Sequence, residues 1–135
     1  MKRPASLSDT NFILRYLLHD NEEQFAEASD FFEKVRIGKE SALISESVLV
    51  ECLYVLTKHY KVPRAEAAMS LGGIFIYKGI VNPDADIFSK ALTLFAESTL
   101  DPVDCILLQM AAVEGHTLRT FDKALLKRIA QPQKY

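Results

Sequence analysis

Apolar runs too short to make helices alternate along this chain with longer stretches of helical periodicity, and that alternation restricts the fold more than any other feature. Ala42-Leu43-Ile44 lies between Ser41 and Ser45, and Gly79-Ile80-Val81 ends at Asn82-Pro83. Ala5 to Ser8 and His116 to Thr120 read as further short strands. Between such runs, Phe25, Ala28, Phe32 and Val35 recur at spacings of three and four, as do Ile87, Ala91, Leu94 and Phe95. Strands alternating with helices predict an α/β chain: a central, mostly parallel sheet of four or five short strands covered by helices on both faces, a three-layer arrangement. No repeat or linker divides the 135 residues, so one domain over 1–135 is expected.

The helix boundaries carry their own signals. A helix through Phe12 to Leu18 is broken at His19-Asp20-Asn21, and the next, Glu22 to Arg36, stops before Gly38. Ser47 is expected to cap a helix running to about His59, and Pro63 to open one from Arg64 to about Ile76, weakened near its end by Gly72-Gly73. Asp84 to Ser98 predicts an amphipathic helix. Asp101 with Pro102 opens another that closes at Gly115, and a short helix begins at Lys123.

Four carboxylates sit at or within these boundaries. Asp9 lies in Ser8-Asp9-Thr10-Asn11 after the first strand, Asp104 in Asp101-Pro102-Val103-Asp104, and Asp122 in Thr120-Phe121-Asp122-Lys123 after the last strand. Glu51 interrupts Val48-Leu49-Val50 and Cys52-Leu53-Tyr54, so it reads as a carboxylate embedded in apolar surroundings, which needs a compensating charge. Each acid also has an ordinary reading. Asp101, Asp104 and Asp122 suit the first turn of a helix, Asp9 suits a strand-to-helix turn, and Glu51 could face solvent.

In their order and settings, these residues resemble the PIN-domain family, and within it the VapC-type toxins of toxin–antitoxin pairs, from about Leu7 to about Arg128. The resemblance implies an acidic metal pocket of Asp9, Glu51, Asp104 and Asp122 with Asp101 as an auxiliary acid. It also implies that Asn11 and Thr120 hold Asp9 and Asp122 in place by hydrogen bonds. All-oxygen ligands suit Mg²⁺ or Mn²⁺ rather than zinc. The implied activity is endonucleolytic hydrolysis of RNA, and the implied partners are a second copy of the chain and a VapB-like antitoxin. For that antitoxin, the helices at Phe12 to Leu18 and Leu49 to Leu56 are candidate groove walls as well as core elements. Glu46, Cys105 and Gln109 depart from the residues usual in the family, which bears on how the pocket floor packs.

The net charge of -2 does not announce a nucleic-acid binder. Cations bound by the acids would offset that charge locally, leaving Lys58, Lys61, Arg64, Arg119, Lys123, Lys127 and Arg128 as candidate phosphate contacts, with Arg119 and Lys123 foremost because they flank Asp122. Solvated surface is the plainer reading of these bases. No apolar run is long enough to cross a bilayer and Met1-Lys2-Arg3-Pro4 leads into no secretory segment, so a cytoplasmic protein without membrane contact is expected. Cys52 and Cys105 fall in apolar helical patterns and read as buried thiols.

Three other functions share parts of this pattern: a housekeeping nuclease of the same family acting in RNA processing, a receiver-like phosphoacceptor domain, and a catalytically silent binding domain. The receiver reading lacks an acceptor Asp after a central strand, and the silent reading sits poorly with four intact acids.

Overall fold

The computed structural model describes residues 4–131. In chain order the elements are β1 (Ser6–Leu7), α1 (Thr10–Leu18), α2 (Glu22–Arg36), β2 (Ala42–Leu43), α3 (Glu46–Tyr54), a π-helical turn (Val55–His59), α4 (Arg64–Phe75), α5 (Ala85–Glu97), α6 (Pro102–Glu114) and α7 (Lys123–Ile129). Four of the seven α-helices start on a side-chain cap. Asp9, Asn21, Ser45 and Asp122 accept hydrogen bonds from the backbone N–H groups of Phe12, Gln24, Val48 and Leu125, each satisfying a donor that the helix itself cannot. The cap of α3 is therefore Ser45 rather than the expected Ser47, whose hydroxyl instead meets that of Ser45 at 3.1 Å. Asp101 occupies the cap position of α6 without a side-chain bond to it, and Pro102 supplies the first turn.

The helices account for most of the core. α4 packs on α5, α5 on α6, and α1 on both α2 and α3. Phe32, Phe88 and Phe95 are essentially inaccessible, joined by Ile13, Leu49, Leu71 and Ile106. The inward positions expected on α5, Ile87, Ala91, Leu94 and Phe95, are all buried. Cys52 and Cys105 are buried free thiols. Arg64, a candidate phosphate contact, is committed to the interior: its guanidinium donates to the carbonyls of Phe95 (3.2 Å) and Leu100 (2.6 Å) and lies 3.6 Å from the centre of the Phe95 ring. Among the described residues no helix is long and apolar enough to cross a membrane.

The sheet is smaller than the sequence suggests. β1 and β2 pair in parallel, Ser6 with Ala42 and Leu7 with Leu43, and Ile80 adds a single parallel bridge to Ala42. Asn82 continues that third segment by its side chain. Its Oδ1 accepts from Ile44 N–H (3.0 Å) and its Nδ2 donates to the Ile44 carbonyl (2.7 Å), so the amide takes over just where Pro83 stops backbone pairing. The expected strand from His116 to Thr120 is not formed. Leu118 is the one apolar side chain in that segment and is only partly buried, too little to hold five residues against the free edge of β1, where Leu7 remains 77% exposed.

Close approach of backbones explains one glycine. Gly79 donates to the Val35 carbonyl at 2.8 Å and accepts from Ala42 N–H at 2.9 Å, and a Cβ there would overlap the Glu40 carbonyl oxygen and come within 2.8 Å of that of Val35. Gly79→Ala is expected to destabilise the fold by about 1–3 kcal/mol, the usual cost of overpacking, read as a lower urea midpoint at unchanged slope. An unchanged midpoint would mean that this crossing of α2 and the third segment yields easily.

Candidate active site

Asp9 is the first residue to be placed by the fold. Parallel pairing of β1 with β2 ends at Leu7, buried Ser8 and Thr10 flank the turn, and the Asp9 carboxylate then spends one oxygen on Phe12 N–H at 2.9 Å. That leaves its other oxygen facing outward at the carboxyl end of the strand, the place where open parallel sheets receive ligands. Glu51 comes from the middle of α3. Leu49, Cys52 and Leu53 turn into the core while Glu51 is exposed. The reading of Glu51 as embedded in apolar surroundings is thus corrected: the apolar residues beside it in sequence occupy other faces of the helix, and its own face opens outward.

Asp9 and Glu51 line one cleft of about 520 Å³, shared with Asn11, Ser47, His59 and Tyr60. The volume lies within the range of ordinary ligand sites. Asn11 faces the cleft beside Asp9, with Phe12 N–H as the hydrogen bond that fixes the Asp9 carboxylate.

A second acidic group forms where α6 begins. Partial burial, reinforced by the charges of Asp101 and Asp122, holds the Asp104 carboxyl above the ordinary carboxylate range. Asp122 is exposed, and its carboxylate caps α7 through Leu125 N–H at 3.1 Å. Thr120 supports it through the backbone: the threonine hydroxyl accepts from Asp122 N–H at 3.0 Å, so it fixes the turn rather than the carboxylate. Arg119 and Lys123 are both exposed on either side of this turn.

Both groups are felt along α3. Burial, then the charges of Glu51 and Asp9, pushes the Cys52 thiol up to about 12, while burial, then Asp101 and Asp104, raises the Tyr54 hydroxyl. The first group is thus felt at Cys52 and the second at Tyr54, two residues further along the same helix. Cys105 is pushed up to about 11, chiefly by burial. Neither thiol supplies a thiolate at neutral pH, which removes a cysteine nucleophile from consideration.

Among the described residues, no three of the His, Cys, Asp and Glu side chains converge closely enough to enclose one ion. A dedicated protein cage of the kind that holds zinc is accordingly a poor fit. The donors fit Mg²⁺ or Mn²⁺ better. Mg²⁺ keeps much of its water and binds through one or two carboxylates plus substrate phosphate, and oxygen pairs are what this arrangement offers. His59 and Tyr60 were not anticipated at the cleft, although Lys58-His59-Tyr60-Lys61 carries a signal of its own, aromatic rings between lysines.

The raised pKa of Asp104 has a definite sign. A carboxyl that holds its proton more tightly when folded contributes stability below its unfolded pKa and loses it as pH rises through the folded value, so at pH 7 the charged form strains the fold. Asp104→Asn is expected to raise the melting temperature at pH 7 in chelator, and to reduce the further rise that wild type shows on adding Mg²⁺. A variant that melts lower in chelator would contradict burial and neighbouring charge as a strain on the ionised carboxylate.

Comparison with known proteins adds the family. The model of the PIN domain matches residues 7–132. No curated protein and no solved structure gives a match.

Proposed function

The chain belongs to the PIN-domain family, a nuclease fold whose members typically depend on a divalent metal, and on that premise we propose that it is an endoribonuclease acting as the toxin of a VapBC-type pair. The observation that carries this reading is the cleft shared by Asp9 and Glu51 at the carboxyl end of β1, with Asp104 and Asp122 held at neighbouring helix starts.

Asp9, Glu51, Asp104 and Asp122, with Asp101 nearby, would hold Mg²⁺ or Mn²⁺. Such an ion lowers the pKa of a bound water and offsets charge on phosphoryl oxygens. The chain's own contribution is positional. Helix caps fix Asp9 and Asp122 so that each has one oxygen free, and Thr120 fixes the turn that carries Asp122. In the proposed reaction a water oxygen bonds to phosphorus as the bond from phosphorus to the 3′ oxygen breaks, the leaving oxygen takes up a proton, and the products carry a 3′-hydroxyl and a 5′-phosphate.

Arg119 and Lys123 are the proposed phosphate contacts beside Asp122. The proposed partners, a second copy and a VapB-like antitoxin, would need apolar surface to cover. Val103 and Leu107 on α6, and Leu126 and Ile129 on α7, are exposed at spacings that put each pair on one helix face, which supports this part of the reading.

Asp9→Asn and Glu51→Gln are each expected to reduce Mg²⁺-dependent RNA cleavage by about 100-fold or more, since even residues that only support metal ligands cost ~10–100-fold. Asn keeps the α1 cap whereas Ala loses about 1 kcal/mol of it, so Asp9→Asn should melt near wild type while Asp9→Ala should not. Cleavage that persists in chelator, or survives both substitutions, would overturn the assignment. Lys123→Glu should weaken RNA binding and flatten its dependence on salt; identical binding curves would remove Lys123 from the interface.

A further inference from the structure

The end of α3 is built in an unusual way. After Tyr54 the helix widens into the π turn Val55–His59, closed by Tyr60 N–H on the Val55 carbonyl at 3.1 Å, and Lys61 comes next with φ of 58°, in the left-handed region. Tyr60 is nine positions after Glu51, so an uninterrupted α-helix would put the two about 180° apart. A π turn takes up one extra residue, which rotates the residues after it back by about 100°. Tyr60 is thereby brought round to the side of Glu51, and both rings, His59 and Tyr60, line the Asp9 and Glu51 cleft.

The rings are held but not covered. They meet edge to face at 4.8 Å, and Tyr60 remains 38% exposed. The Tyr60 hydroxyl accepts from Arg15 Nη2 at 3.2 Å, and Arg15 is in turn fixed by Asp20 at 2.8 Å. Lys58 and Lys61 are exposed on either side.

We propose that His59 and Tyr60 form a base-stacking wall for single-stranded RNA, with Lys58 and Lys61 taking its phosphates, so that the strand is led toward Asp9 and Glu51. This rests on the nuclease reading and adds to it a subsite on a different element. An aromatic face beside cations recognises a nucleobase of any sequence, and an unpaired one, because a base within a duplex has both faces occupied. The site therefore discriminates single strands from duplexes rather than one base from another.

The test is fluorescence anisotropy with a labelled single-stranded oligoribonucleotide and an abasic oligomer of equal charge, in an Asp104→Asn background that does not cut. Tyr60→Leu is expected to weaken binding of the base-bearing oligomer by about 5- to 150-fold, the worth of one stacked base, with little change for the abasic one. Tyr60→Phe keeps the ring and should retain most of the affinity. His59→Ala, at an exposed position, provides a second loss that does not depend on the Arg15 bond. Equal losses on the two oligomers, or a larger loss from Phe than expected of a retained ring, would make Tyr60 a mere anchor for Arg15 and overturn the proposal; so would wild-type binding by both Tyr60→Leu and His59→Ala. Cleavage by the protein with Asp104 intact is measured alongside. Cleavage with unaltered binding by both Tyr60→Leu and His59→Ala removes the stacking wall alone, whereas neither binding nor cleavage of RNA removes the nuclease reading and the wall with it.

Discussion

The bond from Phe12 N–H to the Asp9 carboxylate ties the fold to the candidate site. It begins α1, and α1 carries Ile13 and Leu14 into the core and Arg15 toward Tyr60. It also aims the acid, since a carboxylate that gives one oxygen to a helix start has its other oxygen directed away from that helix. The same device recurs at Asp122 on α7. Capping and metal binding are therefore compatible duties of one side chain, and the choice between them that the sequence leaves open is not a real alternative.

What the caps cannot remove is repulsion among the acids. Partial burial, reinforced by the charges of Asp101 and Asp122, lifts the proton affinity of Asp104, while Asp9 and Glu51 are exposed to solvent. Both groups are felt on α3, Glu51 and Asp9 at Cys52, Asp101 and Asp104 at Tyr54. A cation shared with substrate phosphate would offset repulsion of this kind. Stability of the unliganded chain and strength of ion binding pull in opposite directions at Asp104.

Helices were legible in the sequence because periodicity and caps agree with each other: Asn21 before Glu22, Pro102 at the start of α6, Gly115 at φ 75° after it. The carboxylates were legible as a set, by order and local setting, but the environment of Glu51 was not. Apolar neighbours in sequence say little about one position on a helix that packs on α1, α4 and α6 with different faces. Strands of two residues fall below what alternation can define, and His116 to Thr120 offers only Leu118 to anchor it. The π turn has no signature in a pattern of period 3.6, since one inserted residue shifts the phase without changing composition. From the sequence this helix accordingly ends at about His59, and Tyr60 has no role.

Departures from comfortable backbone geometry fall in one place. Among the described residues, the non-glycine positions with positive φ are His19 and Lys61. His19 ends α1, its N–H on the Arg15 carbonyl at 3.3 Å, and Lys61 directly succeeds Tyr60, so the two strained residues bracket the Arg15 and Tyr60 contact. Such conformations cost about 1–3 kcal/mol each and persist only where the surroundings dictate them. Glycine at either position would relieve the strain without disturbing the core, as Gly38 and Gly115 do elsewhere in the chain. Here histidine and lysine stand instead, in a link that fixes an aromatic ring at the mouth of an acidic cleft. The strain is borne where α1, which carries Asp9 at its start, meets the end of the helix that carries Glu51, and the Arg15 to Tyr60 bond is a contact there that can sustain it.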